Sequence, residues 1–139
     1  MNLIEILLTF FLIKNEPKIV SPIPADGQVI LVSPKPKYYG KVSWYKAVFD
    51  GKNCDDKDCI TAFGEIFTGN ELTTACPARY PLGTKFRVTH KRNSVEVVCD
   101  DRGIFEKKFG RLLDLSEKAF SQLAATSAGI IWAEIEVIK

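Results

Sequence analysis

Three stretches of the chain alternate apolar and polar residues with the two-residue period of a half-buried strand. In Lys85–Thr89 (KFRVT) the apolar positions are Phe86 and Val88, and in Ser94–Cys99 (SVEVVC) they are Val95, Val97 and Cys99. In Ile130–Ile138 (IIWAEIEVI), Ile131, Ala133, Ile135 and Val137 face one way and Glu134 and Glu136 the other. Lys41–Tyr45 (KVSWY) adds another short strand, and His90–Asn93 reads as a hairpin turn. One segment changes period. Ser116 suits a helix N-cap, Glu117 suits the positive helix end, and Ala119, Phe120, Leu123 and Ala124 form one stripe before Gly129 breaks it. The pattern predicts a mainly β domain with one short helix inserted late. For strands this short, closing the sheet into a barrel removes its exposed edges.

The N-terminal part has a different texture. Leu3–Ile13 (LIEILLTFFLI) is apolar except for Glu5 and Thr9. It falls well short of the roughly 20 residues that span a bilayer, and it matches the core of an export signal. Against that reading, no Lys or Arg precedes it and no small-x-small cleavage site follows. A buried terminal helix or strand is the competing reading. No lipobox cysteine lies near the start, so a lipoprotein anchor is not expected. Five of the seven prolines lie between Pro17 and Pro36, as in a partly extended spacer. Residues 1–38 are therefore read as a signal- or anchor-like segment with a linker, and 39–139 as the folded domain.

At 139 residues, 46% hydrophobic and 26% charged, the chain has the composition of one globular domain with a tail. A net charge of +2 gives no ground for a nucleic-acid partner. The four cysteines allow three disulfide pairings. Spacing favours Cys54 with Cys59 across a small polar loop and Cys76 with Cys99 between distant segments. Free thiols and a zinc site are the alternatives, although Cys76 and Cys99 form no second close pair and His90 is the single histidine.

That single histidine excludes a multi-His metal centre, and its place in a hairpin turn between basic residues reads as a surface side chain rather than a triad base. No phosphate-cradling glycine loop occurs. No metal or cofactor is called for. The candidate chemistry lies in carboxylates: Glu65 in TAFGEIF, Asp100 and Asp101 in CDDRGIF, and Asp114 in GRLLDLS. On an extended strand Asp100 and Asp101 point to opposite faces, so one of them can enter a given cleft. Arg102 can pair with a carboxylate through its two-donor fork. Asp114 precedes the helix cap and has a structural role to fill beside the helix dipole. Trp44 and Tyr45, with Tyr38, Tyr39, Phe63, Phe67 and Tyr80, flank these acids and offer flat rings to sugar C–H faces. For each ring taken singly, a place in the core is the alternative.

Taken in order, GKVSWY (40–45), GEIF (64–67), LTT (72–74), PLGT (81–84), FRVT (86–89), DRGIF (101–105) and GRLLDLS (110–116) resemble the motifs of RlpA-like proteins. These are the rare lipoprotein A, septal-ring lytic transglycosylases. The resemblance spans about residues 40–139 and implies a six-stranded double-psi β-barrel, shared with expansins and barwin-like domains. It implies a monomer acting outside the cytoplasm, in the periplasm or at the cell surface, on peptidoglycan or another cell-wall glycan. Active relatives cleave between N-acetylmuramic acid and N-acetylglucosamine without water and leave a 1,6-anhydro sugar. Glu65 matches the family's glutamate and Asp101 the aspartate of DRG; Trp44, Tyr45, Arg102 and Thr61 are the expected substrate contacts. The family also carries a functional histidine between its LT and PLGT motifs. Here that segment reads Ala75-Cys76-Pro77-Ala78-Arg79-Tyr80, with one extra residue, so the histidine falls on Cys76 or Pro77 and is missing either way. A Cys76–Cys99 disulfide in that region matches the expansin and barwin-like relatives. The loss raises the expectation of a non-catalytic glycan-binding module; a barwin-like protein-binding or inhibitor surface is a third reading.

Overall fold

The computed structural model describes residues 34–49, 52–53, 59–103 and 105–138. The Leu3–Ile13 segment and most of the proline-rich spacer lie outside these residues. Eight strands run in chain order: β1 (Lys37–Tyr45), β2 (Val48–Phe49), β3 (Lys52–Asn53), β4 (Thr73–Cys76), β5 (Lys85–His90), β6 (Asn93–Arg102), β7 (Arg111–Ser116) and β8 (Ile130–Val137). Two short helices flank β7, α1 (Phe105–Phe109) before it and α2 (Glu117–Ser121) after it. Six strands close into a barrel in the order β1-β7-β4-β6-β5-β8, and β2 and β3 form a separate ribbon. Within the barrel β1 runs parallel to β7 and β4 parallel to β6. The other pairs are antiparallel.

The alternating stretches become the barrel wall. Phe86, Val88, Val95, Val97, Cys99, Ile131, Ala133 and Ile135 are all buried, and Val137 packs at the core's margin. Burying each large aliphatic or aromatic side chain contributes roughly 1.5–3 kcal/mol. The His90–Asn93 turn closes the β5–β6 hairpin, with Lys91 at a φ of 53°.

Ser116 caps α2 by accepting a hydrogen bond from the Ala119 N–H, while its own hydroxyl donates to the Glu71 carbonyl. The helix is shorter than the stripe implies. It ends at Ser121, and Leu123 reaches the core from the turn that follows. Two barrel strands escape the sequence pattern. All four residues of β4 are buried, so no polar face marks it. Parallel pairing with β1 and antiparallel pairing with β4 hold β7 between two neighbours, and its LL pair hides the period. The helix α1 was not expected either.

A disulfide joins Cys76 on β4 to Cys99 on β6, with Cα atoms 5.7 Å apart. Cys59 is also disulfide-bonded; Cys54, its expected partner, lies outside the described residues. The described cysteines therefore leave neither free thiols nor zinc ligands.

Candidate functional site

One row of paired residues crosses four strands: Asp101 on β6 is opposite Ala75 on β4, Ala75 is opposite Asp114 on β7, and Asp114 is opposite Ser43 on β1. Residues in such a row share a face of the sheet. On β1 the face alternates, so Val42 and Trp44 pack on the core while Ser43 and Tyr45 take the other side. The acids thus gather on the face away from the core, with the small Ala75 between them.

The β4–β6 ladder skips a residue. Thr74 pairs with Cys99 and Ala75 with Asp101, so Asp100 has no partner opposite it. This is a β-bulge, which re-aims side chains away from strict alternation. The expectation that only one of the two acids enters the cleft is corrected by it: both Asp100 and Asp101 bear on the Tyr45 hydroxyl. Burial above all, then these two acids and Asp114, push the Tyr45 phenol far above its ordinary value. Its ring stacks on Phe67 with centroids 4.6 Å apart.

Glu65 arrives on a tight loop. The Thr61 N–H donates to the Glu65 carbonyl (2.8 Å), the Gly64 N–H to the Thr61 carbonyl (2.9 Å), and the Glu65 N–H to Thr61 Oγ1 (3.2 Å). Gly64 sits at a φ of +88°, a conformation that a side chain would strain. Two bonds tie this loop to the bulge: the Phe63 N–H donates to the Asp100 carbonyl (2.8 Å) and the Ala62 N–H to Asp101 Oδ1 (3.0 Å). Asp101 Oδ1 also accepts from the Arg102 N–H (2.8 Å). The exposed Glu65 is therefore held beside the two aspartates, near enough that its charge acts on Asp100. Ile60, Phe63 and Ile66 stand exposed around it.

Burial pushes the Asp100 carboxyl up to about 6; the Thr73 hydroxyl and the backbone pull it back, and Asp101 and Glu65 push it further up. Asp114 is also raised by burial, against the opposing hydrogen bond from Ser43 and the charge of Arg111. The Ser43 hydroxyl donates to Asp114 and accepts from the Arg111 guanidinium (2.9 Å). Asp114 therefore works within β7 and the acid row, rather than through the helix dipole. Sequence reasoning set aside both Asp100 and Asp114. The signal that finds them is the pairing of β4 and β7, which local periodicity does not reveal.

The other expected contacts divide. Thr61 is buried and its hydroxyl serves the Glu65 loop. The Trp44 indole donates to the Thr126 carbonyl (3.0 Å) and packs near Phe120. Arg102 pairs with no carboxylate among the described residues: its guanidinium donates to the carbonyls of Tyr80 (2.7 Å) and Pro77 (3.2 Å) and approaches Cys76 Sγ (3.0 Å). In the Ala75–Tyr80 segment, where the expected histidine is missing, Cys76 is buried and disulfide-bonded.

The strand order, with its two parallel pairings and the acids on one face, defines a double-psi β-barrel domain. A family model described as "Lytic transglycolase" matches residues 38–135, and the chain belongs to this family as an RlpA-like barrel. It is 39% identical over 111 residues to the endolytic peptidoglycan transglycosylase RlpA of Rickettsia typhi, covering 74% of this chain and 32% of the relative. It is 42% identical over 120 residues to the probable RlpA of a Nostoc species, covering 85% and 30%. The chain thus spans about a third of the curated relatives it matches. Two solved structures share the fold. A Streptomyces papain inhibitor has a TM-score of 0.57 at 21% identity, over 75% of this chain and 96% of its own. An aspartate-to-asparagine variant of Clavibacter michiganensis expansin, in complex with cellohexaose, has a TM-score of 0.58 at 20% identity, over 75% and 51%.

Proposed function

We propose that this domain cleaves peptidoglycan glycan strands in the cell envelope, as a lytic transglycosylase using Asp101 and Glu65. The observation that carries the reading is the tie between the Glu65 loop and the β6 bulge, which gathers both acids on one accessible face. Asp101 protonates the glycosidic oxygen as the bond to N-acetylmuramic acid C1 breaks. Glu65 stabilises the positive charge that develops on the sugar ring. The Asp101 carboxylate then takes the proton of the sugar 6-hydroxyl as that oxygen closes on C1. The proton lent to the leaving group is thereby recovered, and no water is consumed. Phe63 supplies ring surface at the site, and Tyr45, Arg102 and Thr61 hold its frame.

Incubation with purified peptidoglycan, read by mass spectrometry, tests this. Anhydro-muropeptides are expected from the native protein. Asp101→Asn should lower their release by about 10²–10⁴-fold while binding to sacculi stays within a few-fold. Product persisting in that variant would remove Asp101 from its role.

The buried disulfide in the segment that lacks the expected histidine favours a second reading, a glycan-binding module without cleavage. Retention on sacculi with no anhydro product from the native protein would select it.

A further inference from the structure

Asp100 is 3% exposed, and its Oδ1 has no hydrogen-bond partner among the described residues. The Tyr45 hydroxyl is a second such atom in this cluster. A polar group left unpaired in the interior is costly, so two together are not expected from packing alone. The backbone bulges at Asp100, and the Asp100 carbonyl anchors the loop that carries Glu65. The bulge and the buried acid therefore sit where the Glu65 loop meets β6.

We propose that Asp100 is a positioning residue of the acid site, whose buried carboxyl acts on the reaction through the neighbouring Asp101. The proposal rests on the lytic reading above and adds a residue to it. The groups that face Asp100 are Asp101 on its own strand, Glu65 on the loop, and Tyr45 and Thr73 on β1 and β4. Asp114 on β7 reaches the same Tyr45 hydroxyl. Among the described residues the charged groups facing Asp100 are thus acids, and the Arg102 guanidinium is bound to the Tyr80 and Pro77 carbonyls. A charge appearing on Asp100 in a space shielded from water is felt by the adjacent carboxyl. At 3% exposure, Asp100 acts on the proton transfer through that neighbour rather than by contact with substrate.

Two measurements on the full chain test this. In a carboxyl carbon NMR titration from about pH 4 to pH 8, Asp101 should show a second inflection where Asp100 titrates, and Asp100→Asn should erase it. An unchanged Asp101 curve in that variant overturns the proposal. In anhydro-muropeptide release, the pH profile of turnover should lose its break near pH 6 in Asp100→Asn, with KM within about twofold. An identical profile also overturns it. Thr73→Val serves where Asp100→Asn does not fold: without the hydroxyl that favours the charged form, the Asp100 inflection should move up by about half a unit or more. If it stays in place, the buried cluster has no such role. A native protein that releases no product defeats the lytic reading alone, because the NMR titration still decides the coupling.

Discussion

Asp100 also makes a prediction about stability that needs no substrate. Its carboxyl stands at about 6 in the folded chain against an ordinary 3.8, so the folded state holds the proton more tightly than the unfolded state. The resulting stability is complete below pH 3.8, falls as pH rises through 6, and is level above. Two units correspond to about 3 kcal/mol at most. The raised Asp114 adds a loss in the same direction. Melting temperature, followed by circular dichroism, is expected to decline between about pH 4 and pH 7, and Asp100→Asn should flatten most of that decline. A variant with the native slope would place the titration elsewhere.

Among the elements, β4 and β6 hold the site, and their disulfide is the covalent part of that grip. Cys76 and Cys99 are separated by 23 residues along the chain. Closing a loop of that length stabilises by about 3 kcal/mol through the unfolded state. Replacing both cysteines by serine should lower the urea midpoint accordingly, and should loosen the Arg102 contact that borders the sulfurs. The approach of β1 to β7 is the second test. A Cβ at Gly40 would come within 2.6 Å of Leu112 Cδ1, closer than atoms tolerate. Gly40→Ala should therefore cost about 1–3 kcal/mol, read by chemical denaturation, with Leu112→Ala relieving part of the loss. Stability equal to the native protein would show that Leu112 moves aside freely.

For the whole molecule, the proposed cleavage and glycan binding share the face that carries the acids, and they separate by which residue is changed. Phe63 is half exposed on the Glu65 loop, where its ring is free to meet a sugar face. Phe63→Ala is expected to weaken sacculus retention by about tenfold, whereas Asp101→Asn leaves it nearly intact. Equal retention in Phe63→Ala would move the sugar surface off this loop.

The strands β5, β6 and β8 and the cap of α2 were legible because their cause is local. Alternation in Phe86–Val88, Val95–Cys99 and Ile131–Val137 selects a face whatever the partner strand. The order of the motifs supplied the barrel, and the matches at Glu65 and Asp101 supplied the candidate acids. The buried β4, the central β7 and the bulge at Asp100 were not legible, because each depends on which distant strand lies alongside. Hydrogen bonding between β4 and β6 over a skipped residue turned two consecutive aspartates toward one tyrosine. No local pattern encodes that, since the chain alone fixes which residues can be buried, while pairing across the closed barrel decides where the polar ones meet.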